Sequence, residues 1–222
     1  MLFAAGFGTR MKALTQDQPK PLIKVAGRAL VDHTLALASE IKPRKVVANL
    51  HYKADQLQKH LSPLGVETIV EKPDILDTGG GLKAALPLLQ AGTVITSNTD
   101  AIWSGPNPFK VVQDHWDPTE MDALLLCVPV AHTIGHESAG DFHIADDMKL
   151  SRGAGFVYGG IQIIKSEVLE HLQKQVFSLN VVWDQIASKD RLMGCVYPGK
   201  WCDVGHPEGI TLAENMLKEG YV

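Results

Sequence analysis

The chain has 222 residues, 45% of them hydrophobic, and a formal net charge of −4 at pH 7. This size and apolar content predict one soluble domain with a substantial core. A mildly acidic chain without a basic stripe is a poor nucleic-acid binder, and the longest apolar runs, such as residues 123–131, are too short to cross a membrane. Three cysteines without CxxC spacing, and the lack of an export signal, favour reduced thiols in the cytoplasm.

The first half of the chain alternates predicted strands with predicted helices. Short apolar runs predict the strands, and apolar residues at helical spacing predict the helices between them. The strands are residues 2–4, 45–51, 66–71 and 93–100, and the helices are residues 27–41, 53–65 and 81–90. A loop with three glycines precedes the last helix, which Pro87 is expected to bend or end. This alternation implies right-handed crossovers and an α/β fold with a parallel sheet.

The second half is less regular. Alternating residues predict a hairpin over residues 142–151. Further strands are predicted at 121–130, 155–164 and 192–198, and helices at 166–173 and 179–188. A final helix begins at Pro207 and ends before Gly220, because proline in the first turn and glycine after the last are usual boundary residues.

The opening stretch LFAAGFGTRM, residues 2–11, raises the question of a phosphate site. A dinucleotide fold requires G-x-G-x-x-G at the start of a helix, but Met11 stands in place of the third glycine. The polar, proline-bearing residues 15–22 predict no helix there, and no GK[ST] follows, which excludes a lysine-type P-loop. Two glycines after a strand are therefore as compatible with a structural turn as with a phosphate site.

Three segments, which follow one another in the chain, favour a phosphate site over a structural turn. Residues 4–35 resemble the signature of the sugar-1-phosphate nucleotidyltransferases, A-A-G-x-G-T-R-[LM] followed by P-K-P-[LM] and a glycine. The stretch NTD at 98–100 resembles the family's strand-end aspartate, and KWCDVGHPEG at 200–209 resembles its W-x-D-[VI]-G-T-P-E, with His206 in place of threonine. The resemblance implies a Rossmann-like three-layer α/β/α fold with a mixed, mostly parallel sheet, and a single catalytic domain over residues 1–222.

The same resemblance implies the reaction and its site residues. A sugar 1-phosphate attacks the α-phosphorus of a nucleoside triphosphate, and pyrophosphate leaves. Arg10 and Lys20 are the catalytic candidates, because a guanidinium can fork onto β/γ oxygens and an ammonium can act as a point charge at the α-phosphate. The predicted nucleotide-binding residues are Ala4, Ala5, Gly6, Gly8, Thr9, Arg10, Gly79, Gly80 and Asn98. The predicted sugar-phosphate contacts are Lys20, Asp141, Tyr158 and Gly159.

Two aspartates are the candidate metal ligands. Nucleotidyl transfer places two polyanions side by side, so Mg²⁺ held by carboxylates is expected. Asp100 ends an apolar strand, where open α/β sheets bind ligands, and Asp203 lies in the late motif. Each matches the family at its own position, which favours a shared ion over two unrelated turn residues.

The substrate choice depends on DTGGG, residues 77–81, which resembles the E-T-G-G-G loop of a branch with N-acetylmuramate 1-phosphate uridylyltransferases and some mannose-1-phosphate guanylyltransferases. UTP with N-acetylmuramate 1-phosphate in cell-wall recycling is the first expectation, and GTP with mannose 1-phosphate the second. A phosphocholine-type cytidylyltransferase or a catalytically inactive regulatory domain that binds nucleotide sugars remains open. A monomer or weak homodimer is expected. The VEKP at 70–73 is too early for the family's mid-chain lysine motif, so Lys72 receives no catalytic role.

Overall fold

The structure, a computed structural model, describes residues 1–220. The helices are α1 (Leu30–Ser39), α2 (Ala54–Leu61), α3 (Asp77–Leu89), α4 (Pro108–Asp114), α5 (Glu167–Glu170), α6 (Leu179–Ala187) and α7 (Pro207–Glu219). The strands of the first half are β1 (Leu2–Phe3), β2 (Lys24–Val25), β3 (Arg28–Ala29), β4 (Val47–Leu50), β5 (Glu67–Val70), β6 (Thr93–Asn98) and β7 (Ala101–Ser104). Those of the second half are β8 (Ala123–Pro129), β9 (Thr133–Ile134), β10 (Phe142–Ile144), β11 (Leu150–Arg152), β12 (Phe156–Lys165), β13 (Leu192–Val196) and β14 (Lys200–Asp203).

The central sheet is mixed and mostly parallel. Its strands run in the order β5-β4-β1-β6-β12-β8-β13, and the β10–β11 hairpin joins the start of β12. Pairing is parallel from β5 to β6 and between β8 and β13, whereas β12 runs antiparallel to both of its neighbours. The carboxyl ends of the parallel strands and the amino end of β12 therefore meet at one edge of the sheet.

Helices cover both faces of this sheet, because neighbouring residues of a strand point to opposite sides. On β8, Leu125 and Cys127 pack with α3, α5 and α6, whereas Leu124 and Leu126 pack with α4. The helices α1 and α2 cover the same face as α4, over β1 and β4. The expected three-layer α/β fold is confirmed.

A second, three-stranded sheet of order β7-β14-β9 carries the late part of the chain back to this edge. The strand β14 pairs with β7, so that Asp203 lies opposite Ala101. Helix α7 packs over this sheet through Ala213 and Met216. The small sheet therefore places Asp203, from the last tenth of the chain, beside the end of β6.

Two expectations about the glycine segments are wrong. The three glycines at 79–81 lie inside α3, which begins at Asp77 rather than after a glycine loop. Two short 3-10 turns, separated by a kink at Lys12, span Thr9–Thr15 after the opening glycines, where no helix was expected. In both places the backbone is helical because it packs closely against neighbouring segments. The local sequence, rich in glycine or polar residues, does not indicate a helix there.

The second half contains elements that the periodicity did not predict. Helix α4 begins at Pro108. Its N-cap is Asn107, whose side chain accepts hydrogen bonds from the Phe109 and Lys110 N–H groups. That pairing of cap and proline was a readable signal. The strands β7 and β14 are too short for an alternation signal, and α5 is shorter than the predicted helix at 166–173. Within residues 1–220 no helix is both long and apolar enough to cross a membrane.

Candidate active site

Two adjoining cavities open at the edge where the parallel strands end. The first, of about 250 Å³, is lined by the opening turn together with Lys20, Asn49 and Asp100. The second, of about 280 Å³, is lined by Asp141, Tyr158 and the start of α6. Phe3, Asp77, Thr78 and Asn98 line both cavities. Their position matches the crevice in which open α/β sheets bind ligands.

A third cavity, of about 420 Å³, lies elsewhere. It is lined by Met1 and by residues 41–46 and 89–95, away from the strand ends named above. Its described lining includes Lys42, Arg44 and Lys45 but no carboxylate. Its volume alone therefore gives no reason to place the chemistry there.

The opening turn is shaped by the packing of Lys20. Gly8 has a φ of 63°, and a Cβ at this position would lie 2.8 Å from the Lys20 Cβ and 3.0 Å from the Thr15 Cγ2. Such contacts are too close, so only glycine allows this turn to close over the lysine stem. Gly6 differs, since a Cβ there would meet no heavy atom within 4 Å. The Gly6 backbone is open to a ligand.

Lys20 and Asp100 form an ion pair across 80 residues of sequence. The Lys20 Nζ lies 2.7 Å from the Asp100 Oδ2, and the lysine side chain is 11% exposed. Lys20 begins a 3-10 turn between Pro19 and Pro21, and the fixed φ of proline limits the backbone on both sides. The structure thus brings together two residues that the sequence placed in separate motifs.

Asp203 lies beside this pair. Burial raises the pKa of the Asp203 carboxyl, and the negative charge of Asp100 raises it further. The positive charges of Lys20, Arg10 and His136 act in the opposite direction. The Val204 N–H also donates to the Asp100 carbonyl, which ties the two aspartate segments together.

Arg10 approaches Asp203 from the opening turn. A Cβ at Gly205 would lie 2.8 Å from the Asp203 Oδ2 and 3.1 Å from the Arg10 Nη1, so both side chains border this glycine. Arg10 is exposed, and it therefore presents its guanidinium to an entering ligand. Two cations and two carboxylates thus meet where the sequence predicted them.

The donor set fits Mg²⁺. Within residues 1–220 no group of three or more metal-binding side chains occurs, so a fully protein-made cage is excluded there. Mg²⁺ is commonly held by one or two carboxylates, with substrate phosphates and water as the other ligands. Asp100 and Asp203 would supply two such carboxylates.

A buried network that the sequence did not single out supports the nucleotide cavity. The Ala4 N–H donates to the Asn49 Oδ1, and the Asn49 Nδ2 donates to the Glu71 Oε1. The other Glu71 oxygen accepts the Leu76 N–H. Both polar side chains are almost fully buried. They join β1, β4 and the segment before α3, and the polar Asn49 at a strand end was the available signal.

The glycines of α3 have a packing role in this structure. The N–H groups of Gly79 and Gly80 both donate to the Phe177 carbonyl, and a Cβ on either would clash with residues 175–177. At Gly81 a Cβ would lie 2.6 Å from the Asn49 Nδ2. The N–H groups expected to meet a base are therefore already bonded, and contact between these glycines and a base stays a prediction.

The predicted sugar contacts divide between the second cavity and its surroundings. The Asp141 Oδ2 accepts the Tyr158 N–H, and both residues line the cavity. Burial raises the pKa of the Tyr158 phenol, so this hydroxyl stays protonated. Gly159 is buried outside the lining, where its carbonyl accepts the Trp201 Nε1–H and an added Cβ would lie 2.6 Å from the Trp103 Cη2. Close packing against aromatic side chains explains this glycine, and its contact with a sugar stays a prediction.

Comparison with known proteins assigns the chain that carries this site to a family. The model of the MobA-like NTP transferase domain matches residues 1–138, more than half of the chain. An N-acetylmuramate alpha-1-phosphate uridylyltransferase of Caulobacter vibrioides is 36% identical, and the match covers 99% of this chain and 96% of that protein. A mannose-1-phosphate guanylyltransferase catalytic subunit beta of Drosophila pseudoobscura pseudoobscura is 27% identical over 99% of this chain, which spans 63% of that longer protein.

The solved structures agree on the fold. A crystal structure of HddC from Yersinia pseudotuberculosis, complexed with GMP-PN, superposes with a TM-score of 0.78, covering 97% of each chain at 22% identity. The nucleotidyltransferase resemblance drawn from residues 4–35, 98–100 and 200–209 is confirmed by these matches. The chain belongs to the family of MobA-like NTP transferase domains.

Proposed function

We propose that this protein is an Mg²⁺-dependent uridylyltransferase that joins UTP to N-acetylmuramate 1-phosphate and releases pyrophosphate. The observation that carries the reaction type is the meeting of Arg10, Lys20, Asp100 and Asp203 at one edge of the sheet. The choice of base and sugar is supported by the Caulobacter vibrioides relative, whose match covers nearly the full length of both chains.

The residues of the chain position and neutralise two polyanions. In the proposed reaction an oxygen of the sugar 1-phosphate attacks the α-phosphorus in line, and the bond to the pyrophosphate oxygen breaks. Lys20 binds non-bridging oxygens where the two substrates meet, and Arg10 forks onto the β/γ oxygens. Asp100 and Asp203 would hold a Mg²⁺ ion, which would supply charge neutralisation for the triphosphate. No protein nucleophile takes part in this reaction.

The ion pair between Lys20 and Asp100 preorganises the site. Each side chain holds the other in place before ligands enter, so little reorganisation is needed when the phosphates arrive. The small Gly8 allows Lys20 to stay buried along its stem while its ammonium reaches the cavity. The same four charged residues argue against a catalytically inactive regulatory domain, because a domain that only binds nucleotide sugars does not need all four of these catalytic and metal-binding residues.

A second candidate is a guanylyltransferase that acts on mannose 1-phosphate. The observation that favours it is the group of mannose-1-phosphate guanylyltransferases that match 98–99% of this chain at 24–27% identity. The cytidylyltransferase alternative has no comparable support. We further propose a role in cell-wall recycling in the cytoplasm, in keeping with three free, buried cysteines and with the uridylyltransferase relatives.

The test is pyrophosphate release by the purified protein. UTP, GTP, CTP and dTTP are crossed with N-acetylmuramate, N-acetylglucosamine, glucose and mannose 1-phosphates and with phosphocholine, each with and without Mg²⁺. We expect UTP with N-acetylmuramate 1-phosphate to give the highest kcat/KM, and EDTA to abolish the signal. Preference for GTP with mannose 1-phosphate would support the second candidate, and bound nucleotide without any turnover would support a regulatory domain.

A further inference from the structure

The second cavity contains one cation that the proposed reaction does not use. Arg152, on β11, lines this cavity, and its guanidinium lies 4.7 Å from the Phe142 ring centroid and 5.8 Å from that of Trp183. Lys20 and Asp100 line the first cavity and not the second. Arg152 therefore lies at the part of the site away from the reacting phosphates.

The guanidinium is held in place but keeps free hydrogen-bond donors. Its Nε and Nη2 both approach the Asp184 Oδ1, at 3.3 and 2.9 Å. A guanidinium has five N–H groups, so three have no hydrogen-bond partner among the described residues. The pair is also exposed, with 45% of the Arg152 side chain and 66% of that of Asp184 accessible, so water screens it. Contact with two aromatic rings and this pairing hold the guanidinium without using all of its donors.

The remaining lining of this cavity suits a sugar ring. Phe142, Tyr158 and Trp183 give aromatic surface, while Thr78, Asn98 and Asn180 give short polar side chains. Asp141 already accepts the Tyr158 N–H, so part of its hydrogen-bonding capacity is used within the protein. Arg152 is the one cation among the described lining residues of this cavity. The other charged residues of this described lining, Asp77 and Asp141, are carboxylates, so an anionic group on the sugar would meet favourable charge at Arg152.

We propose that Arg152 is a specificity-determining residue that binds a carboxylate carried by the sugar ring of the substrate. This inference rests on the proposed function, in which the sugar is N-acetylmuramate. Its lactyl group, joined through the oxygen on the third ring carbon, carries a carboxylate away from the 1-phosphate. A planar guanidinium with free donors matches a planar carboxylate, and such a charge-assisted contact is among the stronger hydrogen bonds.

The test compares two sugars that differ by this one group. Wild-type protein and the variants Arg152→Gln, Arg152→Lys and Arg44→Gln are assayed with UTP and with N-acetylmuramate or N-acetylglucosamine 1-phosphate. We expect Arg152→Gln to lower kcat/KM for N-acetylmuramate 1-phosphate about 10- to 100-fold and to change the N-acetylglucosamine value less than about threefold. Arg152→Lys should fall between, because it keeps the charge and loses the fork. Exposed Arg44 is the control and should change neither value.

The outcomes separate the inference from the function on which it rests. An equal loss with both sugars would place Arg152 at the shared 1-phosphate and overturn the inference, as would no loss with either sugar. Turnover by wild type that favours N-acetylglucosamine would overturn it too, while leaving nucleotidyl transfer intact. If wild type turns over neither sugar, the proposed function fails; calorimetric binding of the two 1-phosphates then decides, since equal affinities would overturn the role of Arg152.

Discussion

At the scale of single residues, the site depends on which side chains are buried and which partners they meet. Lys20 is almost fully buried, yet its ammonium reaches Asp100 because Gly8 leaves room for the lysine stem. Burial and then the negative charge of Asp100 raise the pKa of Asp203, whereas the charges of Lys20 and Arg10 oppose that effect. A cluster of charged side chains of both signs at a cavity is typical of functional sites, and its two cations are the groups suited to bind phosphates.

The two glycines of the opening turn should respond differently to alanine. Gly8→Ala adds a Cβ at a positive φ and in contact with Lys20, so we expect the free energy of unfolding to fall by about 1–3 kcal/mol. Gly6→Ala enters open space and should change stability by less than about 0.5 kcal/mol, while it lowers activity by blocking phosphate approach. Urea unfolding and pyrophosphate release measure the two effects. A Gly8→Ala variant as stable as wild type would contradict this account.

Loss of either aspartate should abolish turnover without unfolding the protein. We expect Asp100→Ala and Asp203→Ala each to lower kcat about 100-fold or more, because each removes one proposed metal ligand. Asp114→Ala, at an exposed aspartate on α4, is the matched control. Thermal unfolding checks the fold of all three variants. Activity near that of wild type in either site variant would remove that residue from the proposed metal site.

The cysteines should be inert in the folded protein. Burial raises the pKa of Cys195 to about 12 and also raises that of Cys127, which suppresses the reactive thiolate. At pH 8 a thiol of pKa 12 is ionised in roughly one molecule in ten thousand, against about a quarter for a free cysteine. A thiol reagent at pH 8 should therefore leave the native protein unmodified and react at once in denaturant. Rapid modification of the native protein would show that these thiols are accessible.

At the scale of elements, an ion triad joins three adjacent strands of the central sheet. Asp122, just before β8, lies 2.8 Å from the Lys165 Nζ and 2.9 Å from the Arg191 Nε. Lys165 ends β12 and Arg191 precedes β13. Burial by itself raises the pKa of Asp122, but the hydrogen bonds and charges of these two cations outweigh it and lower the pKa. The triad thus fixes the strand register at this side of the sheet.

Asp122→Asn should destabilise the protein in a pH-dependent way. We expect a loss of about 1–3 kcal/mol at pH 7, because two partly buried cations lose their partner. Since the folded-state pKa lies below the unfolded value of about 3.9, the ionic contribution is complete above that value and is lost as the pH falls through the folded pKa. Urea unfolding at pH 7 and pH 3, with exposed Asp146→Asn as control, measures it. A stability difference that is constant with pH would contradict the ionic origin.

At the scale of the whole molecule, the site joins distant parts of the chain. The opening turn supplies Arg10, β6 leads to Asp100, and the small sheet returns Asp203 to the same edge. The second cavity is built from β10, β11, β12 and the start of α6. A ligand that fills both cavities therefore contacts segments from both halves of the chain and should stabilise the native state as a unit.

Ligand binding should raise the Tm. UTP with Mg²⁺ at about 100 times its Kd adds about 2.7 kcal/mol, which corresponds to roughly 5–10 °C for a chain of this size. Arg10→Gln should give a smaller shift at the same UTP concentration, because it loses a contact with the β/γ phosphates. Arg44→Gln, away from both site cavities, should keep the full shift. Equal shifts in wild type and Arg10→Gln would leave Arg10 without a role in binding.

Apolar patterns predicted most of the strands of the central sheet and the helices α1, α2 and α6, and the boundary residues Pro207 and Gly220 predicted α7. These elements have regular apolar patterns, because one face of each is buried whatever its neighbours are. The four-residue strands β7 and β14 were not predicted, since they pair in a small sheet that no regular alternation in the sequence announces. The helical start of α3 was missed because the glycines at 79–81 leave room for Phe177 and Asn49, a tertiary contact that local sequence does not reveal.

The sequence by itself determined the family, the α/β class and the four charged residues of the predicted reaction, because these depend on residue type and spacing within short segments. Only the tertiary structure decided which of them meet. The pairing of Lys20 with Asp100, the approach of Asp203, the support of Asn49 by Glu71 and the position of Arg152 all follow from strand order. Contacts between residues far apart in sequence are set by how sheets and helices pack, and no local pattern encodes that packing.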